Sequence, residues 1–367
     1  MPVLLQNPAP GGEAHEDQKS LCLVQGFGEK TFMLKKWLSD ASLSTVVAGF
    51  VAVLVGFTSS AVIVFAAAQA LGANEAQTAS WMWALGLGMG GTSLVLSLWY
   101  RQPVLTAWST PGAAVLAVTQ GVTLPEATGA FIVSALLIMG AGYSGLFERW
   151  MARIPLALAS ALLAGVLARF AMDAVGAVGN APILVLTMAG AYLLGRRLFP
   201  RWAVPGVLAV GVAVAALQGQ LNAAQIAWAW ATPVWVTPEW RWGAMVSVAL
   251  PLFIVTMASQ NLPGVAAQRS AGYNTPISPV IGATGCVTLL LAPFGGYALN
   301  LAAITAAICM GREAHADPAR RYTASAAAGL FYILLGLAGA SIVSLLAAFP
   351  KALVLAVAGL RIGNSTA

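Results

Sequence analysis

Long apolar runs, punctuated by glycine, proline and short charged turns, fill the chain from Ser42 almost to its C-terminus. A run of about 18 or more apolar residues can cross a bilayer as a helix. Reading the runs against their punctuation predicts spans over 43–70, 80–99, 104–120, 127–147, 156–178, 181–198, 203–218, 243–265, 276–292, 296–311, 323–348 and 350–362. The pattern is that of an all-α polytopic membrane protein of about 12 spans. Residues 1–39 form the only long polar stretch. They lack an apolar h-region and a small-residue cleavage site, which argues against a signal peptide and for a cytoplasmic tail.

Two of the spans cannot be continuous helices. In LWYRQPVLTAWSTPGA, residues 98–113, Pro103 bars helix, a short β-prone run follows, and Ser109, Thr110, Pro111 and Gly112 then spell a helix start. A Ser or Thr oxygen serves as N-cap, and proline suits the first turn, where its missing N–H is no loss. In LAPFGGYALNLAAITA, residues 291–306, Pro293, Gly295 and Gly296 break the chain, Tyr297 to Leu299 can extend, and Asn300 is expected to cap the next helix. The two prolines lie 190 residues apart, and QALGAN at 69–74 has a counterpart in QRSAGYN at 268–274. Seven spans per unit is an odd number, so the second copy is inverted. The expectation is a seven-plus-seven inverted repeat, its second repeat incomplete, with two broken helices containing short strands at the midplane. A single break reads more readily as a packed kink; two at matching positions reverse this and favour a cavity at which both half-helix N-termini point, a setting for an anion.

The expected organisation is a tail over 1–39, core spans one to four over 40–147, gate spans five to seven with an outer linker over 148–235, core spans eight to eleven over 236–348, and a truncated gate remnant over 349–367. By the same period a complete second repeat would run roughly 56 residues past Ala367. The last two spans are therefore expected to be missing.

Polar residues inside the apolar runs are the candidate chemistry. Thr58 and Ser59 lie in the first span, beside Ser60, and Ser259, Gln260 and Asn261 cluster in the eighth where Pro263 and Gly264 disturb the helix. Such groups either line a cavity or bond neighbouring helices. Trp108 and Tyr297 flank the broken segments, while Trp81, Trp83, Trp228, Trp230 and Trp235 are assigned to an interfacial belt. The glycines of GLGMGG, Gly86 to Gly91, are read as close helix packing. Asp173 with Arg169, at i and i+4 in the fifth span, is either a self-neutralising pair or a proton relay.

Composition sharpens this picture. Hydrophobic residues make up 59% of the 367, charged residues only 8%, against about 25% charged in a soluble domain. The net charge of +6 does not point to nucleic acid. With a cytoplasmic N-terminus, Arg101, Arg149, Arg153, Arg196, Arg197, Arg201, Arg269, Arg312, Arg320 and Arg321 fall on inner loops and only Arg241 and Lys351 on outer ones. That is the positive-inside pattern. Cys22, Cys286 and Cys309 have no disulfide or zinc spacing. No cofactor, metal site, P-loop or hydrolase constellation is expected.

The stretches VAGFVAVLVGFTSSAVIVFAAAQ, QPVLTAWSTPGAA, TMASQNLPG, APFGGYALNLAAITAAIC and GREAHADPARRY resemble the benzoate/proton symporter (BenE-type) family of bacterial inner-membrane transporters, over roughly Leu38 to Leu360. The resemblance implies a multi-pass inner-membrane carrier taking up benzoate or a similar small aromatic carboxylate with a proton. Relatives carrying nucleobases and sulfate-type anions imply a core and a gate domain, and a homo-oligomer is possible. Nucleobase carriers place acids on the eighth and tenth spans, where this chain has Ser259, Gln260, Asn261, Leu299 and Asn300; an anion would be repelled by an acid there. The expected substrate contacts are Thr58, Ser59, Gln260, Asn261 and Asn300 to the carboxylate, Trp108 and Tyr297 beside the ring, and Ser109 and Thr110 at the first half-helix start. The alternatives are an anion or nucleobase carrier of the same architecture, a transport-impaired truncated relative, or a non-transporting scaffold.

Overall fold

The computed structural model describes residues 39–145, 178–198, 203–220 and 228–347, with positions 147, 172 and 176. Two units are distinguished, Met1–Ala41 and Ser42–Ala367. Of the first only residues 39–41 are described; Arg169, Asp173 and the run 350–362 lie outside the described residues.

In the second unit, helix starts are set by local chemistry. α1 (Leu43–Ala70) and α2 (Glu75–Tyr100) open with capping boxes, Ser42 with Thr45 and Asn74 with Gln77, each pairing two donors that a helix start leaves orphaned. β1 (Thr106–Trp108) and α3 (Thr110–Val118) follow. α4 (Leu124–Tyr143) opens with a third box, Thr123 with Glu126. α5 (Pro182–Leu198) and α6 (Ala203–Leu217) pack on each other around Leu184, Met188, Tyr192 and Val207, a small apolar cluster separate from the main core.

The helix Trp242–Ser270, α7, contains two π-helical turns, Met245–Ala249 and Met257–Asn261. Each ends two residues before a proline, Pro251 and Pro263, and closes with an i→i−5 bond, Leu250 N–H to Met245 O and Leu262 N–H to Met257 O. A proline has no N–H for the α-helical bond and its ring crowds the preceding turn; the wider π turn relieves that crowding, and π turns inside helices often mark functional positions.

α8 (Ile277–Leu291) runs into a 3-10 turn, Ala292–Phe294, and β2 (Leu299–Leu301) precedes α9 (Ile304–Met310). The run 323–348, expected as one span, is two helices, α10 (Tyr322–Leu337) and α11 (Gly339–Ala347), parted at Ala338. Gly339 allows the break to lie against α2: a Cβ there would come within 2.9 Å of Met82 Cβ. Among the described residues, α2, α4, α7 and α8 with its 3-10 turn are long and apolar enough to cross a membrane; α1, bent by 41° between Phe57 and Ser60, is a fifth if its halves form one span.

α1 and α7 end in the same turn. α1 ends with Leu71 N–H to Ala67 O, Gly72 N–H to Gln69 O and Ala73 N–H to Ala68 O; α7 ends with Ala271 to Ala267, Gly272 to Arg269 and Tyr273 to Gln268. Both turns place a glycine at positive φ, +80° at Gly72 and +85° at Gly272. Three of the four GLGMGG glycines serve packing, while a Cβ at Gly91 would meet nothing within 4 Å. Gly86 meets Gly336 and Gly90 meets Gly329, so that α2 and α10 approach at backbone distance.

From Trp228 to Arg241 the chain runs without helix or strand over the ends of several elements. It is held by Ala231 N–H to Leu337 O, Val234 N–H to Ser80 Oγ, Val236 N–H to Pro293 O and Glu239 N–H to Pro125 O. Arg241 adds an ion pair to Glu126 at 3.1 Å. Trp228, Trp230 and Trp235 are exposed here, as a belt position requires, but Trp81 is 1% exposed and belongs to the core. Gly295 makes room for its indole.

The 311–321 loop is organised by Arg321, which is 8% exposed. Its guanidinium donates to the carbonyls of Met310, His315 and Ala316, placing a cation at the C-terminal end of α9. Asp317 caps a 3-10 turn, Pro318–Arg320, and Tyr273 donates its hydroxyl to Pro318 O. Burial raises the Tyr273 phenol above its ordinary pKa, which keeps that donor protonated.

Candidate functional site

The two broken segments meet. β1 and β2 pair antiparallel in the register Thr106↔Leu301, Ala107↔Asn300, Trp108↔Leu299. Ladder bonds and their extensions, Ser109 N–H to Ala298 O and Ala302 N–H to Leu105 O, satisfy backbone groups that would each cost several kcal/mol if left bare at membrane depth.

Side chains from the surrounding helices satisfy the outer edges. On the β1 side, Ser93 Oγ accepts from Thr106 N–H at 2.9 Å, Thr106 Oγ1 lies 2.6 Å from Thr92 Oγ1, and Ser97 donates to Val104 O. On the β2 side, Thr288 Oγ1 accepts from Leu299 N–H and Asn261 Oδ1 accepts from Leu301 N–H at 2.9 Å. α7 holds both breaks: Thr256 donates to Ser109 Oγ, and eight residues of helix later Gly264 lies against Leu301, where a Cβ would come within 2.6 Å of Leu301 Cβ.

The first half-helix starts as its sequence grammar predicts, with Ser109 as N-cap accepting from Gly112 N–H and proline in the first turn. The second does not. Asn300 lies in β2, and α9 begins four residues later behind Ala303 with no side-chain cap. Ladder pairing with Ala107 keeps Asn300 extended, so the expected N-cap role is corrected. Its Nδ2 donates to Ala298 O at 3.2 Å, and its Oδ1, fully buried, has no partner among the described residues.

The other candidates divide into groups. Trp108 packs edge-on against Phe57 at 5.3 Å between centroids, and its Nε1 donates to Ser60 Oγ, which donates in turn to Gly56 O. Tyr297 is not beside it. Fully buried, it packs with Trp81 at 5.6 Å and Phe131 at 5.9 Å. Asn261 has both ends of its carboxamide occupied, by Leu301 N–H and Met257 Sδ, while Gln260 is half-buried on the same π turn. Thr110 is half-buried at the start of α3. The side chains of Thr58 and Ser59 lie outside the described residues, as do Arg169 and Asp173. Phe57, Ser60 and Thr256 were not singled out as site residues by sequence. A signal existed for the first two, since they bracket Thr58 and Ser59; Thr256 shows no local cue.

A family model described as benzoate membrane transport protein matches residues 39–367. The inner membrane protein YdcO of Escherichia coli (strain K12) is 47% identical over 87% of this chain and 82% of its own length. The benzoate membrane transport protein of Acinetobacter baylyi (strain ATCC 33305 / BD413 / ADP1) is 39% identical over 90% of this chain and 84% of its own. Among solved structures, the transmembrane domain of the cyanobacterium bicarbonate transporter BicA matches with a TM-score of 0.62 at 13% identity, covering 88% of each chain. SLC26A9 matches at 0.55 and 13% identity, over 100% of this chain and 65% of that one. At such identities these two likenesses speak for the fold.

Proposed function

The chain belongs to the benzoate membrane transport protein family, and we propose that it is a secondary active transporter that takes up benzoate or a similar small aromatic carboxylate together with a proton. It is a membrane transport protein and not an enzyme. The observation that carries the substrate reading is the strand pair itself. Two broken segments meet at Ala107↔Asn300, with an aromatic pair, Trp108 and Phe57, beside one strand and no acidic residue in β1, β2, α3 or α9.

In this reading Asn300, Gln260 and the Thr58–Ser59 turn of α1 receive the carboxyl end and its waters, while Trp108, which pairs with Leu299 and so takes the other strand face, packs with Phe57 behind the site and not beside the ring as expected from sequence. α1–α4 and α7–α11 form the core that carries the site, and α5 with α6 belongs to the gate; their separate apolar cluster supports that division. The arginine bias supports a cytoplasmic N-terminus. Coupling to a proton removes the barrier of about 2.3 kcal/mol per 100 mV that an inside-negative potential sets against an anion.

Uptake of labelled benzoate into proteoliposomes, with and without an inward proton gradient, tests the proposal. Gradient-stimulated accumulation is expected, unchanged by sulfate or uracil as competitors. Absence of gradient-dependent uptake for any aromatic acid contradicts it.

A further inference from the structure

We propose that the transported proton rides on the substrate's own carboxyl group, which enters the site as the neutral acid and donates its O–H to Asn300 Oδ1. The inference rests on the reading of the strand pair as the substrate site. It starts from one atom: Asn300 Oδ1 is completely buried and has no hydrogen-bond partner among the described residues. The carboxamide cannot be turned over to change this, because Nδ2 donates to Ala298 O at 3.2 Å and a flip would set oxygen against oxygen. An amide oxygen only accepts. A buried acceptor left unpaired therefore calls for a donor.

Strand alternation puts that acceptor on a defined face. Leu299 and Leu301 share one face of β2, where Leu299 packs against Gly88 and Leu301 against Gly264. Asn300 takes the other face with its direct partner Ala107, the one residue of β1 that is not fully buried. A carboxylate brought there offers no proton and sets negative charge against a negative dipole end. The corresponding acid offers the missing donor.

Among the described residues, no neighbouring group is placed to carry the proton instead. The elements packed against β2 are β1, α2, α8 and the second π turn of α7. β1 and the π turn have no titratable side chain. On α2 these are Glu75, exposed at its start, and Tyr100 at its end. On α8 it is Cys286, whose Sγ lies 3.3 Å from Met139 Sδ of α4. Arg269 is exposed near the end of α7, Cys309 lies on α9, and Tyr297 packs against Trp81 and Phe131. A carboxyl group in water has a pKa of about 4, so roughly one molecule in a thousand is protonated at pH 7. A buried carboxylate without a countercharge neutralises in preference to staying ionised. The balance is simple: one anion and one proton combine at the loading side, cross as one neutral acid, and separate on release, so that no net charge moves.

Isothermal titration of the purified full chain with benzoate, in buffers of differing ionisation enthalpy from about pH 5.5 to 8, counts the protons taken up on binding. The expected result is about one proton per benzoate at neutral pH and apparent affinity falling about tenfold per pH unit. With ring-substituted benzoates of lower and higher pKa, the affinity at fixed pH is expected to follow the substrate's pKa. Asn300→Leu is expected to weaken binding by about tenfold or more while the melting temperature holds, since it removes an unpaired acceptor. Flat affinity without proton uptake overturns the proposal, because the anion is then the bound species. Proton uptake whose pH dependence ignores the ring substituent also overturns it, because a protein group then carries the proton. If no aromatic acid binds at any pH, the site reading itself falls.

Discussion

The two broken segments pair with each other as strands, yet they are finished differently. Around the first, polar groups are paired: Ser109 caps α3 and accepts from Thr256, Thr106 is held by Thr92 and Ser93, and Trp108 reaches Ser60. Around the second, the backbone is held as firmly, by Asn261 and Thr288, but two side-chain atoms are left over, Asn300 Oδ1 and Tyr297 OH. A buried unpaired polar atom costs about 1–3 kcal/mol. Its presence on only one of two related segments is therefore informative: the first break is built for stability, and the second keeps unspent hydrogen-bonding capacity where the strands face Ala107.

Substitutions can break or sharpen this contrast. The largest effect is expected at Gly295, which has φ of +93° and where a Cβ would lie 1.8 Å from Trp81 Cδ1. Gly295→Ala combines backbone strain with overpacking, together about 2–6 kcal/mol, and a thermal melt in detergent should show the core lost or severely destabilised. Asn261→Leu comes next. It strands the Leu301 N–H inside the core at a cost of about 1–3 kcal/mol, read as a lowered melting temperature whether or not benzoate is present. Ser109→Ala removes the cap of α3 for about 1 kcal/mol; because the first break is structural in this account, benzoate affinity should change less than stability. Tyr297→Phe should be smallest. It deletes a hydroxyl that bonds to nothing among the described residues, so stability should stay within about 0.5 kcal/mol or rise slightly, and a large loss would show that the hydroxyl has a partner.

How much of this was legible follows the same division. The first break could be read because its chemistry is local: Ser109, Thr110, Pro111 and Gly112 are consecutive, and an N-cap acts over three residues. The QALGAN and QRSAGYN turns were legible for the same reason, each being a helix end with its own glycine. Asn300 was misread because an asparagine before an apolar run looks like a cap unless a distant strand holds it extended, and Ala107 does so from the other repeat. Trp81 was misassigned on the general preference of tryptophan for interfaces; its burial depends on the bare backbone of Gly295, far along the chain. The π turns of α7 had a cue in Pro251 and Pro263, but a proline in a helix fixes the loss of a bond, not the form of its repair.

The central claim is that the strand face shared by Ala107 and Asn300 receives the aromatic acid, and Ala107 is where that face opens. In a variant with Cys22, Cys286 and Cys309 replaced by serine or alanine, Ala107→Cys places a thiol there, and its alkylation rate in membrane vesicles can be followed with and without benzoate. The account predicts that saturating benzoate slows alkylation several-fold, at acid pH more than at neutral, in a protein that still transports. An alkylation rate indifferent to benzoate in a transport-competent variant would contradict it.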